Sequence, residues 1–257
     1  MLRWLLNTFS TWALVPIVIG PPILFAAVGL YCVRRRWAHV PGEQSEATGV
    51  LIGLVAAVYG IVLAFVIVVL YEDYRGAGSS VRDEATEIEQ LVRDTRVFPP
   101  AVGREIAGRL DAYTRTVIGP EWELMRDGRF SPLAWREIDG LYAALQRYRP
   151  RTDTEDAFYG EAVTTLNDLV AARRERLRFA EETLPGAFQA LIFGGALVLI
   201  GFTFLIGMAP GPLQMTMVVA VAGLVGLNLL LVVLLDHPFS GDVSVSPHAF
   251  SERFTER

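Results

Sequence analysis

Four stretches of the chain run for more than 20 residues without a charged side chain: Trp12 to Val33, Gly49 to Tyr71, Ala187 to Met208 and Leu213 to Leu235. A bilayer core about 30 Å thick needs roughly 20 apolar residues at about 1.5 Å each, so every one of them is long enough to cross. One mid-span charge costs about 2.5 to 3.5 kcal/mol even on the forgiving insertion scale, and four clean runs in one chain predict four transmembrane helices. Pro16, Pro21 and Pro22 predict that the first is kinked or split into a short interfacial piece and a span. Arg34 to Thr48 joins spans one and two, and the uncharged Ala209-Pro210-Gly211-Pro212 turn joins three and four, so both termini share a side with the polar segment between spans two and three.

That polar segment keeps a helical period. Val81, Ala85, Ile88 and Val92 continue the second span at helical spacing until Phe98-Pro99-Pro100 stops it. Ile106, Leu110, Tyr113 and Val117 recur at three to four residues up to Gly119-Pro120. After the Asp127-Gly128 turn, Ser131 with Pro132 reads as an N-cap and first-turn proline ahead of Trp135, Ile138, Tyr142 and Leu145. Thr152 with Glu155 reads as a capping box for a last helix through Tyr159, Val163, Leu166, Leu169 and Val170 to Leu184-Pro185. The expected fold is an all-α membrane protein: residues 1–71 carry spans one and two, 72–186 form the helical insert, 187–235 carry spans three and four, and 236–257 form a tail.

Composition sharpens this picture. Apolar residues make up 52% and charged residues 20%, and mean hydropathy is +0.37, against about 45 to 50% and about 25% in ordinary soluble domains. Asp73 to Gly186 holds 21 of the 28 acidic and 17 of the 23 basic residues, which makes the insert the polar part of a membrane protein. Every basic residue is arginine, a bias of GC-rich bacterial coding. The net charge of −5, with no basic tract beyond Arg34 to Arg36, argues against a nucleic-acid partner. Cys32 stands alone, and His39, His237 and His248 form no ligand pattern, so neither a metal site nor a cofactor is expected.

Within the second span, Gly49, Gly53, Ala56, Gly60 and Ala64 fall within about 80° of one another at 100° per residue. Small residues let helix backbones approach, so the stripe reads as a packing seam. The neighbouring face, Ala57, Ile61 and Phe65, is apolar, and lipid is its ordinary partner. Asn228, an amide deep in the fourth span, reads as an interhelical hydrogen-bonding group ahead of an ion contact. Arg173, Arg174, Arg176 and Arg178 could concentrate anions or bind headgroups, but Glu175, Glu181 and Glu182 interleave with them and favour a solvated, salt-bridged helix face. Asp83-Glu84 and Glu181-Glu182 read as solvated charge, and no motif for nucleophilic, phosphate-binding or zinc chemistry occurs, so no catalytic residue is expected.

Two segments resemble the bestrophins. Leu63-Ala64-Phe65 followed by Tyr71-Glu72-Asp73-Tyr74-Arg75-Gly76-Ala77 is similar to the end of that family's second span. Asp236-His237-Pro238-Phe239-Ser240-Gly241-Asp242 is similar to its acidic, Pro-Phe-Gly segment after the last span. A fuller resemblance, over nearly the whole chain, is to the bacterial bestrophin-like family. It rests on Tyr59-Gly60, Glu84-Ala85, Glu121-Trp122, Leu166-Asn167, Ala172-Arg173, Arg176-Leu177, Leu184-Pro185, and Leu235-Asp236 through Pro247 to Phe250.

The resemblance implies a homopentamer in the bacterial inner membrane, with a central pore lined by the second spans and an apolar neck that falls on Ala57, Ile61 and Phe65. It implies small anions as the permeating species. Calcium-binding bestrophins carry an aspartate run after Pro-Phe-Gly; here Asp236 and Asp242 remain, too few for 6 to 8 oxygen ligands, so calcium gating is not expected. The Arg-Trp-Trp of bestrophins is also missing after Tyr71. The rival reading is a non-conducting sensor or scaffold whose insert binds a partner. Orientation divides the two lines of argument: the positive-inside rule puts Arg34 to Arg36 in the cytoplasm and the insert outside, and the resemblance implies the reverse.

Overall fold

The computed structural model describes residues 2–36, 46–204 and 212–255, which are helical with no strand among them. A short helix α1 (Leu2–Thr8) precedes α2 (Thr11–Arg36), and α3 runs from Glu46 to Asp94. The insert continues with α4 (Pro100–Thr116), a π-helical turn (Val117–Glu121), α5 (Trp122–Arg126), α6 (Pro132–Arg147) and α7 (Asp153–Glu181). The chain ends with α8 (Gly186–Thr203), α9 (Pro212–Leu235) and α10 (His248–Thr255). Helices α2, α3, α8 and α9 are long and apolar enough to cross a membrane. The end of the third expected span, up to Met208, and the Ala209-Pro210-Gly211 turn lie outside the described residues, as does most of the loop joining the first two spans.

The chain forms two compact units, Met1–Glu72 with Thr183–Asp236 and Asp73–Glu182 with His237–Arg257. In the first, α2 packs chiefly on α9. Gly226 faces Ile19: a Cβ there would lie 3.0 to 3.1 Å from Ile19 atoms, so a side chain at this position would crowd the contact. Leu6 of α1 joins Leu14, Leu230 and Val233 in a buried cluster. The prolines neither end nor split α2. The break falls earlier, at Phe9-Ser10, where the Ser10 carbonyl accepts from the Ala13 and Leu14 amides and starts the helix. The Tyr59 hydroxyl of α3 donates to the Ile192 carbonyl of α8 at 2.9 Å, and its ring fills the space above Gly195.

The second unit is built on α3, α4, α6 and α7. Ile88, Leu91, Ile106, Leu110, Leu141 and Leu166 are fully buried, each contributing about 1.5 to 3 kcal/mol relative to exposure. Helix α3 ends in a 3₁₀ turn at Thr95–Val97, and extended Phe98 and Pro99 hand over to Pro100 in the first turn of α4, as the sequence predicts. Ser131 caps α6 by accepting from Leu133 N–H, and Thr152 caps α7 by accepting from Glu155 N–H. The capping box is only half formed, because the Glu155 carboxylate accepts instead from Arg151 N–H and the Tyr148 hydroxyl.

Gly119-Pro120 does not stop its helix. Four-residue steps carry Tyr113, Val117, Glu121 and Met125, all buried. Each such step drifts about 40° on a 3.6-residue helix, and the wide turn at Val117–Glu121 takes up that drift while accommodating a proline that has no N–H to donate. The tail belongs to this unit: Phe239 and Phe250 pack edge-on against Trp122, and Ser240 Oγ donates to the Arg126 carbonyl at 2.7 Å.

Candidate pore helix and buried charge network

Helix α3 has one buried line along its whole length. Ile52, Leu63, Val66 and Leu70 are buried in the first unit, and Ala77, Val81, Glu84, Ile88 and Leu91 in the second. At 100° per residue these fall within about 60° of a single azimuth. The opposite line is uncovered: Leu54, Ala57, Ile61, Phe65 and Val68, then Glu72, Arg75, Asp83 and Thr86, are all exposed. Ile61 lies about 180° from Ile52, at 58% exposure, and Phe65 is 70% exposed.

The two flanks differ in size. Gly49, Gly53, Ala56, Gly60 and Ala64 lie on one, and a Cβ at any of the three glycines would meet nothing within 4 Å. Leu51, Val55, Val58, Val62 and Val69 lie on the other. Of the most apolar stretch of α3 only 11% of residues are buried by the chain, against 50% for α9.

The arginine cluster divides into two pairs, which corrects the sequence reading. Arg178 is solvated and bridges Glu175 and Glu182, as a salt-bridged face would, and Arg174 is exposed beside the Trp135 ring. Arg173 and Arg176 are fully buried. Glu84, expected to be solvated, is fully buried with them because it occupies the core line of α3 between Val81 and Ile88.

Arg173 forks onto both oxygens of Glu121 at 2.6 and 2.7 Å. Arg176 forks onto Glu84 at 2.6 and 3.0 Å and donates to Glu121 Oε1 at 2.8 Å. The Tyr113 hydroxyl donates to Glu84, and Ser131 N–H to Glu121. Arg173 also lies over the Trp135 ring at 5.0 Å, and Arg176 over the Trp122 ring at 5.8 Å.

Two carboxylates and two guanidiniums thus meet in a buried, charge-balanced cluster that links α3, α4, the π turn and α7. Burial works to raise the Glu121 carboxyl, but the Arg173 and Arg176 guanidiniums outweigh it and hold the group below the usual carboxylate range. Burial, and then the Glu84 charge, push the Tyr113 phenol well above its ordinary value. Asp94 and Thr165 make a second buried link between α3 and α7 at 2.9 Å.

Asn228, half-buried on α9, donates to the Leu224 carbonyl of its own helix at 2.9 Å. In the tail motif, Asp236 Oδ1 accepts Leu184 N–H at 2.7 Å, and Pro238 O accepts Val245 N–H at 2.8 Å. Phe239 is buried, Gly241 takes φ 77°, which favours glycine, and Asp242 is exposed.

The bestrophin-like domain model matches residues 20–250. The chain belongs to the bestrophin-like family. The fold agrees: a crystal structure of a bacterial bestrophin homolog from Klebsiella pneumoniae, a single-residue variant, aligns with a TM-score of 0.73 at 15% identity, over 94% of this chain and 98% of that one. A second crystal structure of that homolog gives 0.71 at 15% identity over 92% and 94%. A crystal structure described only as a membrane protein gives 0.72 at 15% over 94% and 96%. A search of curated protein sequences returned no significant match. The four charged members of the buried network, Glu84, Glu121, Arg173 and Arg176, are all positions on which the sequence resembles this bestrophin-like family.

Proposed function

We propose that this bestrophin-like protein assembles in the bacterial inner membrane as a homo-oligomeric ring, a pentamer, whose α3 helices line an ion pore. Ala57, Ile61 and Phe65 form its neck, and small anions are the permeating species. The observation that carries the reading is the arrangement of α3. Its bare apolar line lies opposite its packed line, with a small-residue flank on one side and a bulky flank on the other. Lipid alone would explain exposed Ile61 and Phe65. It does not call for three bare glycines on one flank and a leucine and four valines on the other. A head-to-tail ring uses both, each small flank receiving its neighbour's bulky one, and rotation closes such heterologous contacts around an axis.

The line left facing the axis is then Ile61 and Phe65. Large apolar side chains there make a narrow passage whose water column is unfavourable, so ions pass when it widens or wets. An apolar neck does not choose the sign of the ion; anion preference comes from the family resemblance.

Planar-bilayer recording of the purified protein tests the pore. Conductance or open probability rises several-fold for Ile61→Ala, and further when Phe65→Ala is added, while the ring stays assembled. Leu224→Ala, on an exposed position of α9, leaves both unchanged. A double variant that assembles and conducts as the parent does, or a parent ring that stays silent, refutes the pore and leaves the non-conducting scaffold as the better reading.

A further inference from the structure

The uncovered line of α3 does not end with its apolar residues. The helix is continuous from Glu46 to Asp94, and on a period of about 3.6 residues those 18 apart, five full turns, share an azimuth. Leu54 is followed in this register by Glu72, Ala57 by Arg75, Ile61 by Ser79 and Phe65 by Asp83. Glu72 and Arg75 are exposed, and among the described residues neither makes a hydrogen bond or ion pair.

We infer that Glu72 and Arg75 form the charge rings that select the sign of the permeating ion at the polar end of the neck. This rests on the pore reading above. Along the helix, Glu72 stands about 6 Å past Val68, inside the Debye length of about 8 Å at physiological salt, and Arg75 about 10 Å past it, close to the Debye length of about 10 Å at 0.1 M. Asp83, on the same line, is about 22 Å past Val68, where its charge is screened before an ion reaches the dry segment. In a ring every subunit repeats each charge, so one substitution removes a full ring of like charge from a low-dielectric mouth, where fields concentrate. The two rings oppose each other in sign, so selectivity is their balance, and removing either tips it in a direction fixed beforehand.

The experiment is the reversal potential in a potassium chloride gradient across planar bilayers. Arg75→Gln lowers the chloride-to-potassium permeability ratio about fivefold, and Glu72→Gln raises it about fivefold. Arg75→Lys keeps the parent ratio, and the double neutral variant returns close to it. Arg104→Gln, an exposed arginine on α4, leaves the ratio unchanged. Conducting variants whose ratios do not move, or move in the same direction for both substitutions, or move equally for Arg104→Gln, overturn the inference while the pore stands. A parent ring that does not conduct overturns the pore and this inference together.

Discussion

Replacing Arg176 by methionine keeps much of the side chain's volume and removes its charge, which isolates the worth of the buried network. Four hydrogen bonds go, two to Glu84, one to Glu121 and one to the Met125 sulfur, all between fully buried groups. Glu121 keeps both bonds from Arg173, so the loss falls on Glu84, left buried with the Tyr113 hydroxyl as its remaining donor among the described residues. Removing one partner of a buried pair costs about 3 to 5 kcal/mol, because the stranded charge has neither water nor counter-ion.

Arg178→Met is the contrast. Its bonds to Glu175 and Glu182 are as short, at 2.6 and 2.5 Å, but the side chain is 41% exposed, and solvated pairs contribute about 1 kcal/mol or less. Denaturant titration of the purified protein, followed by tryptophan fluorescence, reads the difference, since Trp122 lies beside Arg176. Adding Glu84→Met to Arg176→Met should recover most of the loss, since an apolar pair of similar volume can replace a buried ion pair at little cost. An Arg176→Met protein within about 1 kcal/mol of the parent, or a double variant weaker than the single, would refute the account.

Two further outcomes test other parts of the molecule. Gly60→Leu meets open space within the subunit, so the fold holds while mass measurement in detergent shows the ring lost; Leu63→Ala, buried against its own chain, costs about 2 to 5 kcal/mol of subunit stability and keeps the ring. An intact ring after Gly60→Leu counts against the seam. Glu87 is raised above the usual carboxylate range by burial and then by the charges of Asp168, Asp83 and Asp94. Its ionisation therefore takes stability away as pH rises through the window between the ordinary and the raised value. Glu87→Gln should be more stable than the parent at pH 7, by less than about 1 kcal/mol given its partial exposure, with the gain gone below about pH 4. A gain that does not depend on pH would sink this.

The four spans, the long second-span helix and the insert's helix starts were legible because each rests on a local rule: a charge-free run, a 3.6-residue period, a serine or threonine cap. What the sequence concealed needed partners from elsewhere. Arg173 and Arg176 look like part of a charged run when read by neighbours. Read by period, they fill slots in the buried stripe Leu166, Leu169, Val170, Leu177 and Ala180, as Glu84 does between Val81 and Ile88. Charged residues on two core stripes are each other's natural counter-ions, and that signal was available without a structure. The wide turn at Val117–Glu121 was not, because proline after glycine ordinarily ends a helix, and only the packing of Glu121 and Met125 shows why it continues here.

The buried network holds the insert together, and function is proposed for residues that are exposed in the single subunit. Glu84, Glu121, Arg173 and Arg176 are constrained by one another: change one and a buried charge is stranded. Ala57, Ile61, Glu72 and Arg75 are exposed in the single chain, so its packing constrains their identity far less. A chain can therefore keep the bestrophin-like fold while its proposed ion path changes in width and charge. Glu84 is fixed by its two partners, Tyr113 and Arg176, so a change at any one of the three strands a buried polar group inside the insert.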